Sequence, residues 1–364
     1  MSAARRILYL CPWVDVGGSD RNTIDLLAAL DRARFQVVLA TTLPSRNRGL
    51  VRTAEHVEEV WPLPDLMPGR YFASCLLDLV RAREVSLVHV SNVRLGLDLL
   101  PALSRLSRPP ASVVQLHEAR EDGLSRYAAS RYDSLIDAYS LVSAEVADLL
   151  DRLGVSPTKR HLIHVGVDAE ADFDPARVAP AELGPGDFHV LWPARLAEQK
   201  DPLLMVEVAD ALRRRVPGAV VHAVGGGPLA GEVEAAVSGV GDAVRLHPEV
   251  ALEMAPWYRA ADAVLLTSRY EGVPYAAFES LAMQTPFVGP ALDGVRELVD
   301  GTCGRLVERR EDPDAYADAL AELAGDPGGR AELGRAGRER VLAAFTSREC
   351  ARRHQALYEE LLER

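Results

Sequence analysis

Short apolar runs alternate with stretches of helical periodicity along most of the 364-residue chain. The runs lie at 7–11, 35–40, 86–90, 112–116, 137–142, 188–192, 219–224, 244–247 and 263–266, and another begins at 287. The run at 7–11 is continuously apolar, which is typical of a strand buried on both faces of a parallel sheet, and the others are mainly apolar. Their alternation with helices predicts an α/β fold in which helices cover both faces of each sheet.

The alternating pattern stops once, between Asp168 and Asp187, where the chain has three prolines and little periodicity. It restarts at Phe188. We therefore predict two doubly wound, Rossmann-like lobes: 1–168 completed by a C-terminal helix at 346–364, a linker at 169–187, and 188–345. In such folds ligands bind at the carboxyl ends of the strands, so we expect a site in the cleft between the lobes.

Composition excludes several classes of function. Lys plus Arg is 41 and Asp plus Glu is 53, so the net charge is −12, which argues against nucleic acid as a partner. No apolar window is long enough to span a membrane. The four cysteines show no C-x-x-C spacing, so neither a disulfide framework nor a zinc site is indicated, and a cytoplasmic setting is expected.

The strongest candidate site lies between Glu271 and Glu279. Pro274 stands where the first residue of a helix is expected, and free N–H groups at a helix start bind phosphate oxygens. Gly272 permits close backbone approach. The two carboxylates can accept hydrogen bonds from sugar hydroxyls, so the pattern suits a phosphate with a polyol at each end. Spacing alone also allows two solvated surface charges.

A second candidate follows the strand at 188–192, where Arg195 and Lys200 could bind phosphate oxygens. The chain has 39 Arg but only two Lys, Lys159 and Lys200, so a Lys inside a motif is less easily explained as a surface filler. Spacing by five in a loop does not force the two cations onto one face, and two surface cations remain the alternative.

Glycines and one histidine complete the candidates. Gly17 and Gly18 follow the first strand and could approach a ligand, or serve only a tight turn. Residues 225–227 are three glycines, but Ala230 makes the match to a dinucleotide-binding fingerprint weak. His117 follows a strand and could contact a ligand, although a structural histidine is the alternative. No histidine spacing typical of a metal site is present.

Taken together, these segments resemble the retaining nucleotide-sugar glycosyltransferases of family 4, which have the GT-B architecture of two facing Rossmann-like lobes. The resemblance covers nearly the whole chain and is most specific between about residues 188 and 308. It rests on PARLAEQKDP, VGGGPL, WYRAADAVLLTSRYEGVPYAAFESLAMQTPFVG and DGVRELVDGTCGRLV, with VGGSDRNTIDLL and VGVDAEADFDP in the first half.

The resemblance assigns the donor diphosphate to Arg195 and Lys200, which would stabilise the charge on the leaving group. Gly18 and Gly17 are expected to approach the same diphosphate. The first lobe would face the acceptor and the second would bind the donor. His117 is expected near the transferred sugar and the acceptor.

The resemblance assigns the transferred sugar to Glu271, with backbone N–H groups at Gly272, Val273 and Tyr275. Glu279 would bind the nucleotide ribose.

The nucleotide base would be held by backbone in the segment that includes Val250. Two positions depart from the family's common pattern: Asp20 where Glu is frequent, and Asp201 where Gly is frequent.

The activity implied is transfer with retained configuration by same-face attack, with no metal and no cofactor apart from the nucleotide sugar as co-substrate. A sugar-nucleotide epimerase, a non-catalytic nucleotide-sugar-binding subunit and, as the weakest rival, a nicotinamide oxidoreductase remain alternatives. The base, sugar, acceptor and oligomeric state are not readable. No basic amphipathic helix stands out in the first lobe, so membrane association is not expected.

Overall fold

The computed structural model describes residues 5–15, 17–120, 122–248 and 253–364. The chain divides into two compact units: a first unit of Met1–Gly166 with Ser347–Arg364, and a second unit of Val167–Thr346. Each unit contains one sheet, of seven strands in the first and six in the second. All the strand pairings described are parallel, which confirms the predicted α/β class.

The sheet of the first unit has the order β3-β2-β1-β4-β5-β6-β7. Its strands are β1 (Arg5–Cys11), β2 (Phe35–Thr41), β3 (Glu59–Pro62), β4 (Leu87–Ser91), β5 (Ala111–Leu116), β6 (Ala138–Leu141) and β7 (Arg160–Leu162). Alternate residues of β1 enter different cores: Leu8 packs in one cluster and Tyr9 in another. Burial on both faces explains why the strand is apolar from Ile7 to Cys11.

The first unit's sheet is covered by helices that connect successive strands. They are α1 (Gly18–Ala29), α2 (Leu50–Ala54), α3 (Leu63–Leu66), α4 (Phe72–Ala82), α5 (Arg94–Leu103), α6 (Leu124–Tyr132) and α7 (Ala144–Arg152). Short 3-10 turns lie at Gly69–Tyr71, Asp133–Leu135 and Pro157–Lys159. The Ser143 hydroxyl accepts a hydrogen bond from the Val146 N–H, so α7 begins with a side-chain cap.

The sheet of the second unit has the order β10-β9-β8-β11-β12-β13. Its strands are β8 (Phe188–Trp192), β9 (Ala219–Val224), β10 (Val244–His247), β11 (Ala263–Leu265), β12 (Phe287–Pro290) and β13 (Gly304–Val307). The chain starts at β8, builds outward to β10, and returns to the other side of β8 with β11. Such a reversal leaves a crevice outside the carboxyl ends of the two central strands, β8 and β11.

The helices of the second unit begin at prolines or small residues in several cases. They are α8 (Pro202–Arg215), α9 (Ala230–Val237), α10 (Ala255–Ala260), α11 (Tyr275–Ala282), α12 (Asp293–Arg296), α13 (Pro313–Gly325) and α14 (Pro327–Ala344), with 3-10 turns at Glu198–Lys200 and Gly241–Ala243. Helix α14 packs closely on α11, because a Cβ on Gly337 would lie 2.7 Å from the Leu281 side chain. Residues 169–187 also lie within the second unit.

A last helix, α15 (Ser347–Glu363), belongs to the first unit and packs against α1. Its apolar residues Leu357, Tyr358 and Leu361 join the cluster that contains Tyr9. None of the described helices is both long and apolar enough to cross a membrane.

Candidate active site

The loop that follows β8 carries Arg195 and is fitted against a glycine-rich backbone. A Cβ on Gly225 would lie 2.2 Å from the carbonyl oxygen of Ala194, and one on Gly227 would lie 2.3 Å from that of Leu196. Only glycine allows this approach, and at Gly225 the φ of 149° favours glycine as well. The glycines at 225–227 therefore support the Arg195 loop. The Arg195 side chain is exposed and has no ion pair or hydrogen bond within the described ranges.

Lys200 and Glu271 form a direct ion pair, although 71 positions separate them in sequence. The Lys200 Nζ atom lies 2.5 Å from Glu271 Oε1, and the side chains are 22% and 5% exposed. Lys200 ends the turn after β8, and Glu271 follows β11, so the pair occupies the crevice that the strand order creates. Each charge compensates the other where hydration is poor.

A single hydroxyl, that of Thr267, holds the backbone at Lys200. The indole N–H of Trp192 donates to Thr267 Oγ1 over 3.0 Å. The Thr267 hydroxyl in turn lies 2.9 Å from the carbonyl oxygen of Lys200 and 3.0 Å from that of Asp201. Thr267 is fully buried. Its signal in the sequence was weak, because a Thr at the end of an apolar run is common in strands.

Asp201 adopts a left-handed backbone conformation, with φ 47° and ψ 62°. Glycine adopts this region without steric cost, and Asp tolerates it better than most residues, which explains why both suit this position. The carboxylate accepts a hydrogen bond from Arg310 Nη1 at 2.9 Å and pairs with Arg269 Nε at 3.1 Å. Arg310 and Arg269 were not singled out in the sequence, since charged residues in loops carry no local signal.

The loop at Glu271 and Gly272 rests directly on α12. A Cβ on Gly294 would lie 2.0 Å from the carbonyl oxygen of Gly272, so only glycine fits at this point. Pro274 is the N-cap residue of α11, and the helix begins at Tyr275, one residue later than expected. The segment is otherwise, as predicted, a loop that leads into a helix.

Val273 and Tyr275, the other two predicted backbone donors, flank Pro274. Val273 is partly exposed in the loop, whereas Tyr275 is 8% exposed and packs its ring at 6.0 Å from that of Phe278. The Tyr275 side chain therefore serves the core, and a ligand at the helix start would meet its backbone N–H.

Glu279 lies four residues into α11 from Tyr275, about 6 Å along the axis. Its Oε2 atom accepts a hydrogen bond from the Tyr258 hydroxyl at 2.7 Å. Burial, and then the neighbouring Glu279 charge, raise the pKa of Tyr258 well above its ordinary value, so the phenol stays a donor. Tyr258 was not predicted as a site residue.

His117, Gly17 and Gly18 lie in the first unit. His117 follows β5, and its Nε2 lies 3.4 Å from the Ser91 hydroxyl. Burial, and then the nearby His354, lower the pKa of His117 to about 4, so its imidazole is neutral near pH 7. Gly17 is the N-cap of α1, which begins at Gly18. The remaining predicted contact, Val250, lies outside the described residues.

A carboxyl group, Asp20, is buried against the glycine loop. A Cβ on Gly17 would lie 3.1 Å from Asp20 Oδ2. Burial, and then the charge of Asp15, raise the pKa of Asp20 to about 7.

The second unit also contains three hydrogen-bonded imidazoles. His189 Nδ1 lies 3.1 Å from His222 Nε2, and His222 Nδ1 lies 3.2 Å from His247 Nε2. Burial, and then the two neighbours, lower the pKa of His222 to about 4, so the His222 imidazole is neutral at pH 7. Over the ranges that the structure describes, no group of three or more His, Cys, Asp or Glu is arranged to hold a metal ion.

Sequence comparison decides the family. One family model, Glycosyltransferase Family 4, matches residues 16–171, and another, Glycosyl transferases group 1, matches 187–326. The D-inositol 3-phosphate glycosyltransferase of Arthrobacter sp. (strain FB24) is 31% identical over 310 residues, covering 81% of this chain and 70% of the relative. The protein is a family 4 glycosyltransferase.

A second relative supports the same assignment. The D-inositol 3-phosphate glycosyltransferase of Pseudarthrobacter chlorophenolicus is 30% identical over 326 residues, covering 85% of this chain and 74% of the relative. The resemblance to family 4 drawn from the sequence motifs is thereby confirmed.

Solved structures show that this family 4 glycosyltransferase has the GT-B fold. A Rickettsia africae glycosyltransferase aligns with a TM-score of 0.81 at 18% identity, over 99% of each chain. Sucrose-phosphate synthase from Thermosynechococcus elongatus aligns at 0.78 and 21%, also over 99% of each. HepE of Anabaena, solved with UDP and glucose, aligns at 0.78 and 17%, over 98% of this chain and 100% of HepE. The predicted architecture is therefore confirmed.

Proposed function

We propose that this glycosyltransferase moves a sugar from a nucleotide diphosphate sugar to an acceptor hydroxyl, with retained configuration and without a bound metal ion. The observation that carries the proposal is the Lys200–Glu271 pair at the carboxyl ends of β8 and β11. It places a cation suited to phosphate beside a carboxylate suited to sugar hydroxyls. Arg195, exposed on the adjoining loop, adds a second cation.

In this proposal, the positive charge that stabilises the departing diphosphate comes from the protein. Cleavage of the sugar–phosphate bond leaves negative charge on the diphosphate and positive character on the anomeric carbon. Arg195, Lys200 and the N–H groups at the start of α11 would stabilise the departing diphosphate. Since Thr267 and the glycines at 225–227 fix the backbone on which the two cations stand, little reorganisation is needed during reaction.

The carboxylates take the hydroxyl-rich parts of the donor. Glu271 would accept hydrogen bonds from the transferred sugar, beside the N–H groups of Gly272 and Val273, and Glu279 would accept those of the ribose. Lys200 then lies between sugar and diphosphate, bonded to Glu271 and available to phosphate oxygens through its other two N–H bonds.

We propose same-face attack as the route to retention. The acceptor oxygen bonds to the anomeric carbon on the side from which the diphosphate leaves, and its proton passes to the departing phosphate oxygen. His117, neutral because its pKa is lowered to about 4, would contribute hydrogen bonding to the sugar rather than charge. Gly17 and Gly18 keep their expected role as backbone contacts to the diphosphate.

The donor and acceptor to test first follow from the comparisons. The relatives are named D-inositol 3-phosphate glycosyltransferases, and HepE was solved with UDP and glucose. We therefore propose UDP-sugars as donors and a phosphorylated cyclitol as the first acceptor, with unphosphorylated polyols in parallel.

The decisive experiment is a thermal-shift screen with UDP, GDP, ADP and dTDP and their sugars, with and without magnesium. A ligand at 100 times its Kd stabilises the folded state by about 2.7 kcal/mol. We expect one base to dominate, magnesium to change nothing, and Lys200→Ala to lose the shift and at least about 100-fold in transfer rate. Lys159→Ala, the matched control in the first unit, should behave as wild type.

Two results would overturn this proposal. Transfer that survives undiminished in Lys200→Ala would remove the site assignment. Donor consumption that proceeds equally fast without any acceptor would indicate an epimerase in place of a transferase.

A further inference from the structure

The side chain beneath Glu279 is a buried tyrosine that the proposed mechanism does not use. Tyr258 belongs to α10, is 1% exposed, and donates its hydroxyl hydrogen to Glu279 Oε2 at 2.7 Å. A hydrogen bond to a charged acceptor in a poorly hydrated place is among the stronger ones in proteins. The bond therefore helps to restrain a side chain that has several rotatable bonds.

Tyr258 is itself held from several directions. The Thr285 hydroxyl donates to the Tyr258 carbonyl oxygen at 2.7 Å, and the ring of Phe173 packs edge-on at 6.2 Å. Arg338 donates to the carbonyl oxygens of both Phe173, at 2.9 Å, and Ala282, at 2.6 Å. The same guanidinium thus fixes the residue that packs on Tyr258 and the last residue of α11, the helix that carries Glu279. A tyrosine supported in this way is a rigid anchor.

A carboxylate can accept about four hydrogen bonds through its two oxygens. The Tyr258 contact uses one of these positions and restrains Oε2, so the range of carboxylate orientations is narrower before a ligand arrives. Preorganisation of this kind improves affinity because the entropy of ordering the side chain is lost at folding instead of at binding.

We infer that Tyr258 is a positioning residue that orients Glu279 toward the ribose hydroxyls and makes donor binding selective for ribonucleotides over 2′-deoxyribonucleotides. The inference rests on the proposed function, which assigns the ribose to Glu279. A 2′-deoxyribonucleotide lacks the 2′-hydroxyl and therefore leaves the oriented carboxylate without that partner. A site built to bond a hydroxyl rejects the analogue that lacks it.

The test compares the Kd of UDP with that of 2′-deoxy-UDP by calorimetry, with the GDP and ADP pairs run in parallel. Tyr258→Phe removes only the hydroxyl. Tyr316→Phe is the matched control, since Tyr316 is equally buried in the second unit and its hydroxyl has no hydrogen-bond partner among the described residues. Glu279→Ala, which removes the acceptor altogether, completes the set, alone and combined with Tyr258→Phe.

We expect wild type and Tyr316→Phe to prefer the ribonucleotide equally. In Tyr258→Phe that preference should fall about fivefold to tenfold, mainly through weaker binding of the ribonucleotide. The double variant should match Glu279→Ala alone, because the Tyr258 hydroxyl has no carboxylate to orient once Glu279 is replaced.

The outcomes distinguish a failure of the proposed function from a failure of the inference about Tyr258. Should Glu279→Ala keep the wild-type preference, the ribose assignment in the proposed function is wrong. Should Glu279→Ala lose the preference while Tyr258→Phe retains it, or weakens both nucleotides by the same factor, Tyr258 is structural and this inference is overturned. Melting of each variant without ligand shows whether the fold is intact.

Discussion

The two units have the same kind of sheet but use their buried polar groups differently. In the second unit, Thr267 holds the loop that carries Lys200 and Tyr258 holds Glu279, so buried groups fix the candidate site. In the first unit the buried groups fasten a helix: His89 Nδ1 lies 2.7 Å from the Tyr358 hydroxyl, and the hydroxyl of Ser140 lies 2.9 Å from His354 Nε2.

The contrast shows that the second unit's sequence is constrained mainly by the candidate site, whereas the first unit's sequence is constrained mainly by the packing of α15. The second unit concentrates its motifs in loops at the carboxyl ends of strands, and glycines there allow backbone to meet backbone. The first unit has its polar residues inside the sheet–helix interface, where they select one docking position for α15. Changes in the second unit's loops should therefore affect ligand binding first, whereas changes in the first unit's core should affect stability first.

The largest expected effect is that of Gly294→Ala. The new Cβ would lie 2.0 Å from the Gly272 carbonyl oxygen, so the loop at Glu271 must move by about an ångström. We expect a fall in transfer rate of about 100-fold, since displacement by an ångström at a site is that costly. Overpacking should also lower the free energy of unfolding by about 1–3 kcal/mol. Steady-state kinetics and urea titration measure the two effects.

Gly231→Ala is the control for this variant. Gly231 lies in α9 of the same unit, and a Cβ there meets nothing within 4 Å. Alanine in a helix should be neutral or stabilising by up to about 1 kcal/mol. If both glycine variants retain full transfer, the close approach at Gly272 is not needed for catalysis.

Acid should weaken the first unit before the second. Burial lowers the pKa of His117 and His354 to about 4 and that of His89 well below its ordinary value. The folded state therefore favours neutral imidazoles, and this stabilisation is complete above about pH 6.5 and is lost as the pH falls toward about 4. Among the described histidines of the second unit, only His222 and His247 have a lowered pKa.

The carboxyl group of Asp20, in the first unit, has the opposite pH dependence. Its pKa is raised to about 7, so the stability that it contributes is complete below about pH 4 and is lost as the pH rises through 7. The histidines outnumber it, and each contributes about 1 kcal/mol per pH unit across the window. Hydrogen exchange at pH 7.5 and 5.0, corrected for intrinsic rates, should show protection lost in β4–β6 before β8–β11. Loss in the reverse order would contradict this account.

The smallest expected effect is that of Asp201→Gly. Glycine relieves the left-handed conformation, worth about 1–2 kcal/mol, but loses the hydrogen bond from Arg310 and the ion pair with Arg269, worth about 1 kcal/mol together. Unfolding free energy and transfer rate should stay close to wild type. Asp201→Ala loses the bonds and keeps the strain, so it should be the less stable of the two in thermal melts.

The fold was predictable because the signal is repeated along the chain. Runs such as those at Ile7 and Ala263 are apolar throughout, and only strands covered on both faces require that. Three strands were missed, β3, β7 and β13. Each is three or four residues long, β3 and β7 contain no buried residue and β13 contains two, so their apolar signal is weak.

The site was predictable only in part, for a physical reason. Lys200 and Glu271 were identified individually, but their pairing depends on the order of β8 and β11 in the sheet, which no local pattern encodes. Tyr258 and Thr267 look like ordinary core residues, because a buried hydroxyl and a buried apolar group occupy the same positions in a sequence pattern. Gly294 was part of a recognised motif, yet its purpose became clear only from the distance to Gly272.

The return of α15 to the first unit has a consequence for how the protein is made. The second unit, Val167–Thr346, is one continuous stretch and can complete its sheet as soon as it emerges from the ribosome. The first unit emerges earlier but must wait for Ser347–Glu363, with its cluster around Tyr9 incompletely covered until then. The second unit is thus expected to finish folding before the first, although it is synthesised later. A chaperone is expected to bind the nascent first unit during that interval.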